Sequence, residues 1–179
     1  MPTLRCCLMM SFSVPALTAC SSGAPPASSG HLNQQQSVES GSEAGMERFK
    51  KEVEQLAAIR FDDPEAVGRQ LKTQLGSATR DNVHEERSAE RGMLGDLSIL
   101  NIKLRSASDN PAHATLTFDI APPSVVVGNV LWEDSIPYPA RPDASGSRPY
   151  WSTRVSGSEV ILGLESDGTT LNYISISQR

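Results

Sequence analysis

Residues 97–120, LSILNIKLRSASDNPAHATLTFDI, decide the fold class of this chain. Apolar side chains occupy every second position in each half of the stretch: Leu100, Ile102 and Leu104, then Leu116, Phe118 and Ile120. A period of two is typical of strands that bury one face and expose the other. The turn residues at 109–111 join the halves, so the stretch predicts two neighbouring strands of an antiparallel sheet.

Two amphipathic helices are predicted upstream of this strand pair. The first shows apolar residues at a 3-4-3 spacing: Met46, Phe49, Val53 and Leu56. The second has Asp63 as its N-cap, Pro64 at the first helical position, Gly76 as its stop, and apolar positions between them: Val67, Leu71 and Leu75. The almost wholly polar residues 77–95 predict a loop.

Further strands are predicted toward the end of the sequence, over residues 125–132, 151–155, 160–165 and 169–177. Asp167-Gly168 between the last two is typical of a tight hairpin turn. Two helices followed by antiparallel strands predict an α+β domain, in which two N-terminal helices pack on a mainly antiparallel β-sheet.

Composition narrows the functions to be considered. A chain of 179 residues suits one ordinary domain, and its net charge of −5 disfavours nucleic-acid binding, which needs a basic surface. The three cysteines are Cys6, Cys7 and Cys20. The predicted domain after them therefore has neither a disulfide nor a cysteine-ligated metal, and we expect no cofactor.

The first twenty residues are typical of an export signal. Arg5 precedes a mostly apolar run over residues 6–17, and two small residues precede Cys20. Leu17-Thr18-Ala19-Cys20 resembles the lipobox of bacterial lipoproteins. That resemblance implies a signal peptide over residues 1–19 and acyl chains such as palmitate on Cys20.

An acylated Cys20 implies a protein held to a membrane, since two or more chains give durable attachment. Ser21 after the cysteine implies, by the same resemblance, the outer membrane with the domain facing the periplasm. Residues 20–45 are rich in Ser, Gly, Pro and Gln and predict a flexible tether behind the lipidated cysteine. Residues 46–179 then form a single α+β periplasmic domain.

Few residues of this domain suit catalysis. His84 and His113 are its histidines, and neither a thiol nor a Gly-x-Ser-x-Gly motif accompanies them. The run His-Glu-Glu at 84–86 lacks the spacing of a metal-ligand set. Glu133 and Asp134 are the carboxylate pair without a local structural explanation, and they are the candidates for acid–base work on glycan. We predict no metal site and a protein that is not an enzyme.

Residues 132–151 hold the candidate protein-binding residues: Trp132, Tyr138, Arg141, Arg148, Tyr150 and Trp151. These residue types are the most enriched in binding hot spots, and a long loop without secondary structure is often functional. The alternative for the two tryptophans is that they cap the core at strand ends. For the other four it is a solvated loop.

The sequence therefore predicts a membrane-anchored lipoprotein acting as a non-enzymatic protein-binding module in the cell envelope. One version is an inhibitor or immunity protein against a secreted cell-wall hydrolase. The alternatives are a structural or assembly component of an outer-membrane complex and a peptidoglycan-active enzyme using Glu133 or Asp134. Expected partners are the membrane, through lipid on Cys20, and an envelope protein.

Overall fold

A computed structural model describes residues 35–179, with side chains from Gly45 onward apart from Asn129. The predicted signal peptide, the lipid-carrying Cys20 and residues 20–34 of the predicted tether lie outside the described residues. The first helix, α1, begins at Gln35, inside the 20–45 stretch, whose assignment as a tether stays a prediction. Over residues 35–179, no helix combines the length and the apolar character needed to cross a membrane.

The described chain is built mainly from one antiparallel sheet. Its helices and strands follow one another in this order: α1 (Gln35–Ala58), α2 (Pro64–Gln70), β1 (Thr79–Arg80), β2 (His84–Leu94), β3 (Leu97–Ala107), β4 (Ala114–Ile120), β5 (Val125–Val126), a 3₁₀ turn (Val127–Asn129), β6 (Ile136–Tyr138), β7 (Tyr150–Val155), β8 (Ser158–Leu164) and β9 (Thr170–Gln178). Nine strands form the sheet in the order β1-β2-β3-β4-β9-β8-β7-β6, and β5 pairs separately with β9.

The predicted α+β class, with two N-terminal helices packed on the sheet, is wrong, because the described chain is mostly antiparallel β-sheet. α2 has only seven residues. α1 contacts β2 near one end of the strand order and β7 and β8 near the other. The strands supply most of the buried core residues.

One face of the sheet, called the inner face here, forms the core. Its buried side chains lie in register across strands in two rows: Leu104, Leu116, Ile176, Val160 and Thr153, and then Phe118, Ile174, Leu162 and Trp151. The predicted helical stripe joins this core, since Phe49, Val53 and Leu56 are buried. Burial of apolar surface at these positions is the main source of stability. The intervening side chains form the outer face.

The loop predicted over residues 77–95 is wrong, because this stretch forms β1 and β2. β2 pairs with β3 from the His84–Ala107 pair to the Leu94–Leu97 pair. Gly95, with a φ of +60°, makes the turn between them. β2 shows little alternation because it lies beside the two-residue edge strand β1 and exposes polar side chains on both faces. Its pairing with β3 makes it a strand.

A β-bulge shifts the predicted alternation of β3. Ile102 and Leu104 are buried as predicted, but Leu100 is not, and Ile99 is buried in its place. The register with β4 shifts between Leu100 and Lys103, and Asn101 there has a φ of +52°. An extra residue in one strand reverses the facing of all residues beyond it.

α2 begins as predicted and ends earlier than predicted. The Asp63 side chain accepts a hydrogen bond from the Ala66 N–H at 3.0 Å, which caps the N-terminus. At the other end, Lys72 adopts a φ of +49° and the Thr73 N–H donates to the Gly68 carbonyl at 2.9 Å. This is a Schellman ending, and the sequence hides it because lysine occupies the position that glycine usually takes.

Candidate functional site

Residues 132–151 contain a β-strand and the first residues of another. β6 pairs with β7, which places Ile136 opposite Ser152, Pro137 opposite Trp151 and Tyr138 opposite Tyr150. Neighbouring side chains on a strand point to opposite faces of the sheet. The aromatic residues of this segment are therefore divided between the two faces.

Both tryptophans pack, partly buried, against the core. The Trp132 indole Nε1–H donates a hydrogen bond to Glu54 Oε1 at 3.0 Å. Lys50 Nζ lies 5.9 Å from the Trp132 ring centroid, within reach of a cation–π contact. Trp132 thus attaches the start of the segment to α1, and Trp151 lies opposite Leu162 on the inner face. This arrangement matches the core-capping alternative for the tryptophans.

The tyrosines lie in one line on the outer face. Tyr138 and Tyr150 stack with their ring centroids 4.8 Å apart and their planes 8° from parallel. Tyr150 is opposite Gly163 on β8, and Gly163 is opposite Tyr173 on β9. The three tyrosines of the chain thus form a single line across β6 to β9, here called the tyrosine row (Tyr138, Tyr150 and Tyr173).

Gly163 is required for the geometry of the tyrosine row. A Cβ atom at position 163 would lie 1.9 Å from Cε1 of Tyr173, far inside van der Waals contact. The Tyr173 ring therefore lies directly over the Gly163 backbone and fills the space between β9 and Tyr150. An aromatic ring that covers a glycine in a neighbouring strand stabilises a sheet at a position where glycine alone would weaken it.

The carboxylate of Asp119 lies next to the tyrosine row, on the side of β4. Asp119 is opposite Tyr173 in the β4–β9 pair. Its Oδ2 accepts a hydrogen bond from Asn101 Nδ2 at 2.7 Å, and Asn101 is the residue with positive φ at the bulge in β3. The bulge therefore turns an amide toward Asp119 and orients its carboxylate beside the last tyrosine.

Burial of Tyr173 and, secondly, the nearby Tyr150 phenol raise the pKa of Tyr173 above its usual value. Both causes oppose a negative charge at this position. The Tyr173 hydroxyl is therefore held in its protonated, neutral form.

The two predicted arginines lie in the connection between β6 and β7. Arg148 Nη1 donates to Glu165 Oε2 at 2.8 Å, which attaches that connection to the end of β8. The Arg141 side chain is exposed, and its backbone N–H donates to Ser147 Oγ at 2.8 Å. Tyr138 and Tyr150 are among the predicted residues, whereas Tyr173 is not, because the sequence does not give the register that aligns Tyr150, Gly163 and Tyr173 across β7, β8 and β9.

The two carboxylates of the candidate acid–base pair, Glu133 and Asp134, have different surroundings. Asp134 Oδ1 accepts a hydrogen bond from Thr153 Oγ1 at 2.7 Å, and Thr153 is one of the few buried polar residues. Glu133 is exposed. Asp134 therefore has a local structural role that its sequence context does not reveal. The strand predicted over residues 125–132 is shorter in the structure. It is limited to Val125–Val126 (β5), because a 3₁₀ turn that contains Gly128 follows directly.

A second polar region lies where the inner face meets the loop after α1, in a cavity of about 430 Å³. Glu85 accepts hydrogen bonds from Arg80 at 2.7 Å and Arg87 at 3.1 Å. The bond from Arg80 is the main cause that lowers the pKa of Glu85, and Arg87 adds to it. Because these charges already satisfy one another, the region is explained as an ion-pair network of the fold.

The described residues form an antiparallel-sheet protein with a row of three tyrosines on its outer face. Comparison with protein-family models, curated proteins and solved structures finds no match to this chain. Only the residues and their geometry therefore bear on its function.

Proposed function

We propose that this chain is a membrane-anchored lipoprotein that acts as a non-enzymatic protein-binding module in the cell envelope. Lipid on Cys20 holds it to the outer membrane, and the tyrosine row contacts an envelope protein. The observation that carries this proposal is the alignment of Tyr138, Tyr150 and Tyr173 across four strands of the outer face. An inhibitor or immunity protein against a secreted cell-wall hydrolase is the version that we favour.

The tyrosine row has the physical properties of a contact surface. Ile136 and Tyr138 are 56% and 41% exposed, so large apolar groups face water at the end of the row. Tyrosine offers a large apolar ring and a hydrogen-bonding hydroxyl while losing little side-chain entropy on binding. The tyrosines lie on paired strands and two of the rings are stacked, so they are already ordered and lose even less side-chain entropy on binding.

At the β6 edge of the sheet, a partner is expected to contact side chains and not to add a strand. β6 ends the strand order, and Pro137 at its centre has no N–H group to offer an added strand. Pro139 follows directly after β6. Partner binding at this end therefore uses the outer face and not backbone hydrogen bonds.

The bond between Thr153 and Asp134 favours this function over a peptidoglycan-active enzyme. It assigns Asp134 to the fold and leaves Glu133 as a single exposed carboxylate. Hydrolysis of glycan by the usual routes needs two carboxyl groups set across the scissile bond. The tyrosine row, in contrast, lies on the outer face, and Tyr138 at its end is 41% exposed and available for contact.

A photo-crosslinking amino acid at position 138, in cells that make the protein, tests the contact surface. We expect one discrete protein adduct from position 138 and none from position 83, where Val83 is 60% exposed in the turn between β1 and β2. Tyr173→Ala should reduce the adduct. Equal adducts from both positions, or none, would contradict the proposal. A secreted hydrolase in the adduct supports inhibition, whereas an integral outer-membrane protein supports the assembly alternative.

The membrane anchor is tested separately. Labelled palmitate should be incorporated into the wild-type protein and not into Cys20→Ser, and only the wild type should fractionate with membranes. Ser21→Ala is a matched control that keeps the cysteine. A Cys20→Ser protein that still sediments with membranes would sink the anchor without touching the tyrosine row.

A further inference from the structure

We infer that the tyrosine row takes a cationic side chain, arginine or lysine, from the protein partner, and that the Asp119 carboxylate is its counter-ion. This inference rests on the proposed protein-binding function and adds the chemistry of the partner. It is drawn from the ring faces of the row, the position of Asp119 and the charges around them.

The faces of the tyrosine rings are suited to a cation and are not covered by the protein's own cations. Lysine and arginine are attracted to the face of an aromatic ring within about 6 Å of its centroid. Across the described part of the chain, the cation–π contact is that of Lys50 with Trp132, away from the row. Arg148, two residues before Tyr150, is held by Glu165 instead.

Asp119 lies where a cation resting on Tyr173 would reach it. Directly opposed residues of antiparallel strands have Cβ atoms about 5 Å apart. Asn101 occupies Oδ2 of Asp119, and no residue among those described donates a hydrogen bond to Oδ1. A guanidinium lying flat on the Tyr173 ring can therefore donate to Oδ1, which combines stacking with a charge-assisted hydrogen bond.

The surrounding charges agree with a cationic ligand. The chain carries a net charge of −5. Arg91, opposite Leu100, lies in the row of Asp119 two strands away, and Lys103 lies on the outer face one row away, opposite Thr117. Its ammonium should repel a bound cation weakly and would attract a bound anion.

A glycan is the main competing ligand for an aromatic surface. Sugars stack on the open face of a ring. Tyr138 and Tyr150 cover one face of each other at 4.8 Å, which halves the ring surface that the pair can offer to a sugar or to a cation, so the ring faces do not decide between them. Asp119 adds a charge that a neutral sugar does not need. The geometry therefore favours a cationic protein side chain.

The test uses the full-length chain and a tetra-arginine peptide, with tetra-glutamate and chitotetraose at the same concentration. The tyrosine ring signals are followed by NMR. Because the chain has three tyrosines and all belong to the row, every such signal reports on this surface. We expect tetra-arginine to shift the signals in a salt-sensitive manner and the other two probes to leave them unchanged.

Three variants test whether Asp119 is the charge that binds tetra-arginine. Asp119→Asn keeps an oxygen for Asn101 and should weaken tetra-arginine binding by roughly two- to fivefold, the effect of an exposed ion pair. Lys103→Gln should strengthen binding by up to about twofold. Asp109→Asn, an exposed acid in the turn between β3 and β4, is the matched control and should leave the affinity unchanged.

The inference is overturned by tyrosine signals that ignore tetra-arginine, or by equal losses in Asp119→Asn and Asp109→Asn. Tyrosine signals that respond only to chitotetraose would assign the row to glycan. If position 138 still crosslinks one envelope protein while tetra-arginine fails, the proposed protein binding stands and only its cationic chemistry is wrong.

Discussion

Trp151 and Tyr150 are neighbours in the sequence and have opposite roles in the fold. Trp151 faces inward and lies opposite Leu162, where it packs against the core. Tyr150 faces outward, lies opposite Gly163 and stacks on Tyr138. Both are aromatic residues of one strand, so residue type does not separate them. The alternation of the strand does, because it places Trp151 against the core and Tyr150 on the outer face.

The largest expected difference between the faces is in stability. Leu162→Ala empties a fully buried position and should lower the free energy of unfolding by about 2–5 kcal/mol. Ile161→Ala, one residue away on the outer face, should cost about 1 kcal/mol, because that side chain is only half-buried. Urea unfolding of both variants measures the difference, and equal losses would contradict the two-faced description.

Gly163 lies beneath the Tyr173 ring on the outer face, so a methyl group there meets that ring. Gly163→Ala should destabilise the protein by about 1–3 kcal/mol, the usual cost of overpacking. With the ring removed in Tyr173→Ala, the same methyl group has room. The double variant should therefore be more stable than the sum of the single effects by about 1 kcal/mol or more in a double-mutant cycle. Additive effects would mean that the ring does not cover the glycine.

Asp134 and Glu133 provide a smaller contrast. Asp134→Ala leaves the buried Thr153 hydroxyl without its acceptor and should cost about 1–2 kcal/mol. Glu133→Ala removes an exposed carboxylate and should change the free energy of unfolding by less than about 0.5 kcal/mol. Thermal unfolding of the two variants tests whether Asp134 has a structural role in the fold or is free for a catalytic one. An unchanged melting temperature in Asp134→Ala would remove the structural reason.

The smallest expected effect is at the turn that joins β8 and β9. Hydrogen bonds from the Thr170 hydroxyl, the Thr170 N–H and the Thr169 N–H lower the pKa of Asp167 to about 2. Because the folded pKa lies below the usual 3.8, its stabilising effect is present above pH 3.8 and is lost as the pH falls through 2. The melting temperatures of the wild type and Asp167→Ala should therefore converge between pH 4 and pH 2. A constant gap would exclude this linkage.

Some elements are predictable from the sequence because their signals are local. In β4, Leu116 and Phe118 alternate with polar residues and are buried, since each side chain's face follows from its place in the strand. Asp63 and Pro64 begin α2 as predicted, because a cap acts within one turn of helix. The position of the last hairpin also follows from Asp167-Gly168 alone, where Gly168 has a φ of +72°.

The fold class was mispredicted because much of the sheet carries no local signal. β2 is polar on both faces and becomes a strand through its pairing with β3. The bulge at Asn101 shifts which residues face inward, and nothing in the alternating pattern marks it. With β1, β2 and β6 not predicted, the two helices made up a larger share of the predicted elements than of the folded chain.

The candidate site was likewise predictable from the sequence only in part. Composition alone selected residues 132–151, and two members of the tyrosine row lie there. Tyr173 joined the site through the register of β7, β8 and β9, and Asp119 through the pairing of β4 with β9. Alternation, capping and turn formation depend on neighbours a few residues away, so they can be read along the chain. The line-up of side chains across strands depends on register between distant segments, which only the folded sheet decides.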